Sequence, residues 1–274
     1  TENLATGWVS NTLFEPHVGD SIFKAMCAKE KDHLSVMYGL QLQSVLKEHN
    51  KITGAVFLNA DKKSVTIKSK ICIDATELGD VIAMSATAYD LGMEDAAYSK
   101  EAIAPGKNSI IQDLTWAAIL KDYGKGSDKT IPRPDGYDST RFFKSCTSVF
   151  NSDSIAAPWT AQKMLNYGKI KNNKYMLNWP ASGNDYYLNV IEERPDDRIK
   201  KYAAAKNHTL QFIYYIQKEL GYKNLGLADD EFPTTDKLAM IPYNRESRRV
   251  KGLARLNNNY LVDPFGKNES LYRT

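Results

Sequence analysis

The sequence predicts a mixed α/β fold, in the α+β sense. Three observations carry that prediction. Three strand-like runs separated by short polar turns fill residues 41–73, a strand–turn–helix joint follows over residues 71–91, and a long amphipathic helix spans residues 196–220. Apolar residues recurring every second position mark the strands, and an apolar stripe of period 3.6 marks the helix.

In chain order, residues 20–31 read as a helix. Asp20 is a plausible N-cap, and Ile22, Phe23, Met26 and Cys27 share one face. Residues 34–40 form a short apolar strand, followed by strands over 41–48, 52–59 and 64–73. Alternation is clearest in Val65, Ile67, Ile71 and Ile73. The turns at 49–51 and 60–63 are short, which requires antiparallel pairing.

The last strand runs into Asp74, Ala75 and Thr76, then a glycine turn, then a helix over 81–91. A strand end beside a helix N-terminus presents unpaired backbone N–H groups, which can hold a phosphate or a polar cofactor edge. The alternative is a plain joint with Asp80 as N-cap.

Residues 110–123 read as a helix, and 125–137 as a loop marked by Pro132, Pro134 and Asp135-Gly136. Residues 158–165 are a short helix or a loop. Residues 174–179 form a strand stopped by Pro180, and 185–190 a strand or an aromatic-lined loop. The helix over 196–220 takes its stripe from Ile199, Tyr202, Ala203, Leu210, Ile213, Tyr214 and Ile216, and Gly221 stops it. The tail, 237–262, holds two strand-like runs around residues 242–249.

The chain has 274 residues, enough for one large domain or two smaller ones, with a division expected between 1–90 and 91–274. Its net charge is +3, and no basic run is interleaved with aromatics, so no nucleic-acid partner is expected. No apolar run is long enough for a membrane span. The start carries neither an initiator Met nor a leader-like pattern, so the natural start is expected elsewhere; the compartment is not legible.

Cys27, Cys72 and Cys146 form no C-x-x-C pair, so neither a disulfide framework nor a zinc site is expected. Cys72 reads as a buried strand residue. His17, His33, His49 and His208 show no ligand spacing, and no metal is expected.

Two clusters can carry chemistry. In residues 242–249 (PYNRESRR), Arg245 and Arg249 would share one face of a strand and Arg248 the other. Planar guanidinium forks suit a substrate carboxylate or the electron-rich edge of a ring cofactor. A salt-bridged strand paired with Asp229, Asp230 and Glu231 explains the same residues. In residues 178–187, Asn178, Trp179, Asn184, Asp185, Tyr186 and Tyr187 suit a polar ligand such as a sugar. A turn flanked by core aromatics is the rival reading. No G-x-S-x-G, H-E-x-x-H, P-loop or G-x-G-x-x-G is present.

Residues 71–80 (ICIDATELGD) after a meander, together with PYNRESRR at 242–249, resemble the paired motifs of bacterial FAD-dependent oxidoreductases. Residues 111–115, 174–180, 183–185 and 225–233 are similar to a branch often labelled xanthan lyase.

The resemblance implies what is left of a glutathione-reductase-like FAD domain with an antiparallel meander over 1–90, and a substrate or cap domain of mixed sheet and helices over 91–274. It implies that Asp74, Ala75, Thr76, Gly79 and Asp80 face the FAD diphosphate and ribityl chain, with Leu42 and Gln43 near the adenine. It implies that Arg245 and Arg248 face the flavin or the substrate as catalytic residues, with Asn184, Asp185 and Arg249 on a small-molecule or saccharide substrate. Glu77 departs from the family's usual glycine, and a carboxylate there would repel a diphosphate.

The resemblance also implies an internal fragment, missing the N-terminal G-x-G-x-x-G unit and a closing C-terminal segment. The function expected is hydride transfer between a polar, sugar-derived substrate and flavin, with FAD bound weakly or not at all by this chain. A non-catalytic carbohydrate-binding module using Trp159, Trp179, Tyr186 and Tyr187 is the alternative, and a polysaccharide lyase a third.

Overall fold

The structure is a computed structural model and describes residues 13–93, 108–146 and 160–252. In chain order the elements are α1 (Pro16–Lys29), β1 (Gln41–Glu48), β2 (Lys51–Leu58), β3 (Ser64–Lys68), α2 (Asp80–Met84), β4 (Tyr89–Asp90), β5 (Leu114–Thr115), β6 (Ala118–Asp122), a 3-10 turn (Ser139–Arg141), α3 (Ala161–Tyr167), β7 (Lys169–Ile170), β8 (Lys174–Leu177), β9 (Asp185–Tyr186), α4 (Pro195–Lys218), β10 (Leu225–Leu227) and β11 (Arg249–Val250). Helices and several antiparallel sheets together make a mixed α+β protein. The chain divides into two compact units: Thr1–Val36 with Asp113–Tyr243, and Met37–Gln112 with Asn244–Thr274.

In the larger unit a four-stranded sheet runs in the order β10-β6-β8-β7. Antiparallel pairing sets Ala118 against Leu177 and Leu120 against both Tyr175 and Leu227. Ala118, Ile119 and Leu120 are all buried because the sheet is covered on both faces. Ala118 and Leu120 enter one apolar cluster with Trp116, Phe142, Leu177, Phe212, Ile213 and Ile216. Ile119, pointing the other way, joins Ile170 and Ala228.

α4 begins with Pro195 in its first turn, with Asp196 and Asp197 beside it, where the helix dipole favours both. Its inner face carries Phe212, Ile213 and Ile216 into the core. Its buried Gln211 and Gln217 bond instead to the segment after β6: Gln217 Oε1 accepts from Ile131 N, Gln217 Nε2 donates to Lys129 O, and Gln211 Nε2 donates to Asp135 O.

In the smaller unit β1, β2 and β3 form the expected meander, in the order β1-β2-β3. The register of β1 on β2 shifts between Leu42 and Ser44, which places Gln43 on a bulge. β4 pairs with β11, Asp90 opposite Arg249 and Tyr89 opposite Val250.

Several elements depart from the sequence reading. Residues 110–123 form β5 and β6 rather than a helix, because a run buried on both faces loses the alternation that identifies a strand. Residues 34–40 and 71–73 join no strand, and Ile71, Ile73 and Cys72 are exposed. α1 starts at Pro16, four residues before Asp20, and buries none of its residues. The helix expected over 81–91 ends at Met84. Trp159 and the tail beyond residue 252 lie outside the described residues.

Candidate functional site

The Asp-Ala-Thr turn in the smaller unit is closed by its own side chains. Asp74 Oδ1 accepts from Thr76 N at 3.0 Å and from Thr76 Oγ1 at 2.7 Å. Asp74 Oδ2 accepts from Ile82 N at 3.1 Å, and Thr76 Oγ1 accepts from Asp80 N at 2.8 Å. Two of the amides at the start of α2 are thereby satisfied from within the turn. Gly79 precedes the helix with φ 67°, a left-handed conformation that a side chain would strain. A Cβ there would also stand 3.2 Å from Arg248 Cβ.

Arg248 ties the arginine-rich segment to this turn. It is 7% exposed, and its Nη1 donates to Leu78 O at 2.7 Å and to Asp80 Oδ1 at 3.1 Å. Its guanidinium also lies over the Tyr89 ring, 5.4 Å from the centroid. The pairing of β11 with β4 delivers it there, since Arg249 sits opposite Asp90 one residue further along. Arg249 Nη2 donates to Gly92 O, and Glu246 Oε2 accepts from Gln112 N at 2.6 Å. Arg245 is half-buried on the same segment. Leu42 is half-buried in β1, and Gln43 is exposed beside it.

Asn184 and Asp185 belong to the larger unit. The Asn184 amide is fully buried and committed to backbone: Oδ1 accepts from Trp179 N, while Nδ2 donates to Trp116 O and Leu177 O. Gly183 is required beside it, because a Cβ would stand 2.2 Å from Trp179 O. Asp185 Oδ1 accepts from Thr115 Oγ1, and its backbone pairs with Thr115. Trp179 is 4% exposed, and its Nε1 donates to Ser145 O. Tyr187, at 53%, is the exposed aromatic of the segment. His208 packs between Phe142 and Tyr186, and its Nε2 meets Gly183 O at 3.0 Å. Burial lowers its pKa, favouring the neutral ring.

A buried ion cluster escapes sequence reasoning altogether. Lys174, 1% exposed, bonds Glu15 at 3.0 Å, Asp230 at 2.8 Å, and Glu231. His17 Nδ1 reaches Glu231 Oε2 at 2.9 Å. Burial works against the Lys174 charge, but the bonds to Asp230, Glu231 and Glu15 outweigh it and hold the ammonium well above its usual range. The Lys174 bond lowers the Asp230 pKa; for Glu15, bonds from Asn172 and Lys174 outweigh the burial that opposes them. Glu15, His17 and Glu231 present ligand atoms within 4.8 Å of one another, but Lys174 already supplies the positive charge those carboxylates need. The signal available in the sequence was a lysine opening an apolar strand. The acidic stretch proposed as a partner for the arginines is thus engaged by Lys174, His17 and, at 3.9 Å, Lys121.

The family model described as FAD dependent oxidoreductase matches residues 1–268. The chain belongs to the FAD dependent oxidoreductase family. No curated protein and no solved structure gives a significant match.

For a family that uses FAD, the turn at 74–80 is poorly suited to the diphosphate. The amides of Asp80 and Ile82 are taken by Thr76 and Asp74. Asp74, Glu77 and Asp80 add three carboxylates, with one arginine, Arg248, paired to Asp80. A doubly negative group would meet repulsion and few donors there. No helix among the described residues is long and apolar enough to cross a membrane.

Proposed function

We propose that this chain is the substrate-side portion of an FAD-dependent oxidoreductase acting on a polar, sugar-derived substrate. Family membership supports the redox class. The observation that supports a shared role for the two motifs of the resemblance is the Arg248 tie, which bonds one of them, at Arg248, to the other, at Leu78 and Asp80. When bound, the flavin would supply the two-electron chemistry. The chain's own part is to shape and charge the surroundings.

In this reading Arg248 is a positioning residue. Its guanidinium is spent on Leu78 and Asp80, so it fixes the turn rather than touching substrate. Arg245 is the arginine proposed to face the flavin or the substrate, with Arg249 beside it. Leu42, Gln43, Asp74, Ala75, Thr76, Gly79 and Asp80 are proposed to line the cofactor's uncharged edges, not its diphosphate. Asn184 and Asp185 are proposed to hold the shape of a substrate loop through their backbone and Thr115 bonds. The alternative of a carbohydrate-binding module is weakened by the burial of Trp179, one of its proposed platforms.

Flavin fluorescence titration of the full chain tests this. Riboflavin and FAD should bind weakly and with similar affinity, because the turn does not favour a diphosphate. Arg248→Met should abolish both while the melting transition of the larger unit persists. Binding unchanged in Arg248→Met would remove the positioning role. No response to either flavin would remove the cofactor-lining role proposed for these residues, and tight stoichiometric FAD binding would show that a diphosphate cradle exists after all.

A further inference from the structure

The segment from Tyr123 to Asp138 carries no helix or strand, a length at which loops within compact units are commonly functional. It is nonetheless held firmly. Gln217 bonds it at Lys129 and Ile131, and Gln211 and Asn207 both donate to Asp135 O. Side-chain amides fix it along about three turns of α4, so whatever it presents outward is presented in a set geometry.

What it presents borders a cavity of about 360 Å³, lined by Arg133, Tyr137 and Asp138 from the segment, by Ser139 of the 3-10 turn, and by Tyr214 and Glu219 from the end of α4. That volume is at the small end of the range for organic ligands. Two aromatic rings form a corner, Tyr137 against Tyr214 at 4.7 Å, edge to face. Tyr137 Oη donates to Glu219 Oε1 at 3.3 Å, and the Arg133 guanidinium lies over the Tyr137 ring at 5.5 Å.

The charges here do not neutralise one another. Among the described residues no arginine or lysine forms an ion pair with Glu219 or Asp138, and no carboxylate forms one with Arg133. Asp138 uses Oδ1 to cap the 3-10 turn through Thr140. Glu219 stands at the C-terminus of α4, where the helix dipole adds to the attraction for a cation. Arg133 donates Nη2 to Tyr137 O at 3.3 Å and keeps its other N–H groups for an anion.

We infer that this cleft binds a small zwitterion, its ammonium at Glu219 against the Tyr137 and Tyr214 rings and its carboxylate on Arg133. An ammonium gains from a carboxylate and an aromatic face together, and a guanidinium matches the planar geometry of a carboxylate. The inference is independent of the flavin reading.

Saturation-transfer NMR on the full chain tests it, with 4-aminobutyrate and L-alanine as probes and butyrate and butylamine as one-ended comparators. At least one zwitterion should show transfer, stronger than either comparator. Glu219→Gln and Arg133→Gln should each weaken it by about tenfold, the loss expected for one charge-assisted bond. Both side chains are exposed, so the variants should keep the parent melting temperature. Absence of transfer from both zwitterions, equal binding of butyrate, or indifference to both substitutions would overturn the assignment.

Discussion

Trp116, Phe142, Phe212, Ile213 and Ile216 pack into one apolar cluster in the larger unit. In the smaller unit, Ala55 and Leu78 are the buried hydrophobic side chains among its described residues, while Ile71 and Ile73 are more than four-fifths exposed. The larger unit holds most of the apolar burial found among the described residues. The smaller one is organised by ladders and local polar ties: three meander strands, the Asp74 and Thr76 bonds, and the Arg248 clamp. The Asp-Ala-Thr turn and residues 244–249 therefore lie in the unit with less apolar burial among the described residues. A region of that kind is held in shape by specific bonds, and specific bonds are what single substitutions remove.

The largest effect should come from Phe212→Ala. It empties a fully buried position and should cost about 4 kcal/mol, read as a lower denaturation midpoint. Hydrogen exchange sharpens the comparison: protection should fall in β6, β8 and α4 and hold in β1–β3. Equal loss in both sets would mean that the two units melt as one, and the contrast drawn here would fail.

Next is the ion cluster. Lys174→Met leaves Glu15 and Glu231 buried without their cation and should cost about 3 kcal/mol. Because the Glu15 and Asp230 pKa values are depressed on folding, their contribution is present above the unfolded carboxylate range near about 4 and disappears as pH falls through the lower folded values. Lys174 is raised, so its share persists below about 10.4 and is lost only as pH climbs through its folded value. Acid titration should thus erase most of the difference between Lys174→Met and the parent. A difference that stays constant down to the acid transition would mean that the loss comes from packing at position 174 and not from the charges of the cluster.

The smallest effect belongs to the smaller unit. Asp74→Ala removes the acceptor for Thr76 and Ile82 and should cost about 1 kcal/mol, the ordinary worth of a cap. It should show as faster amide exchange at Ile82 with the exchange of α4 unmoved. Unchanged exchange at Ile82 would mean that the turn is held from elsewhere.

How much of this was legible in the sequence depends on how each segment is buried. The meander was readable because short polar turns separate its three runs and β3 keeps polar and apolar residues alternating. α4 was readable from its stripe, although Ile199 at its start is 69% exposed. Residues 114–122 were not, since Ala118, Ile119 and Leu120 serve two apolar clusters at once and a continuous apolar run fits helix and buried strand alike.

Both motifs of the resemblance were found by pattern, but the division of labour among the arginines was hidden. Only the β4–β11 pairing decides that Arg248 turns inward. The Glu15–Lys174–Glu231 cluster joins residues 159 and 57 positions apart, a pairing no local pattern can announce.

The bonds between α4 and the segment before the 3-10 turn carry a consequence for sequence change. Along one helix Asn207 and Gln211 grip Asp135 while Gln217 grips Ile131 and Lys129, so the contacts run in reverse order, like teeth on a rack. Inserting a single residue between positions 211 and 217 would rotate one tooth by about 100° relative to the others. Length is therefore frozen on both sides of this mesh, and with it the spacing of whatever the segment presents outward.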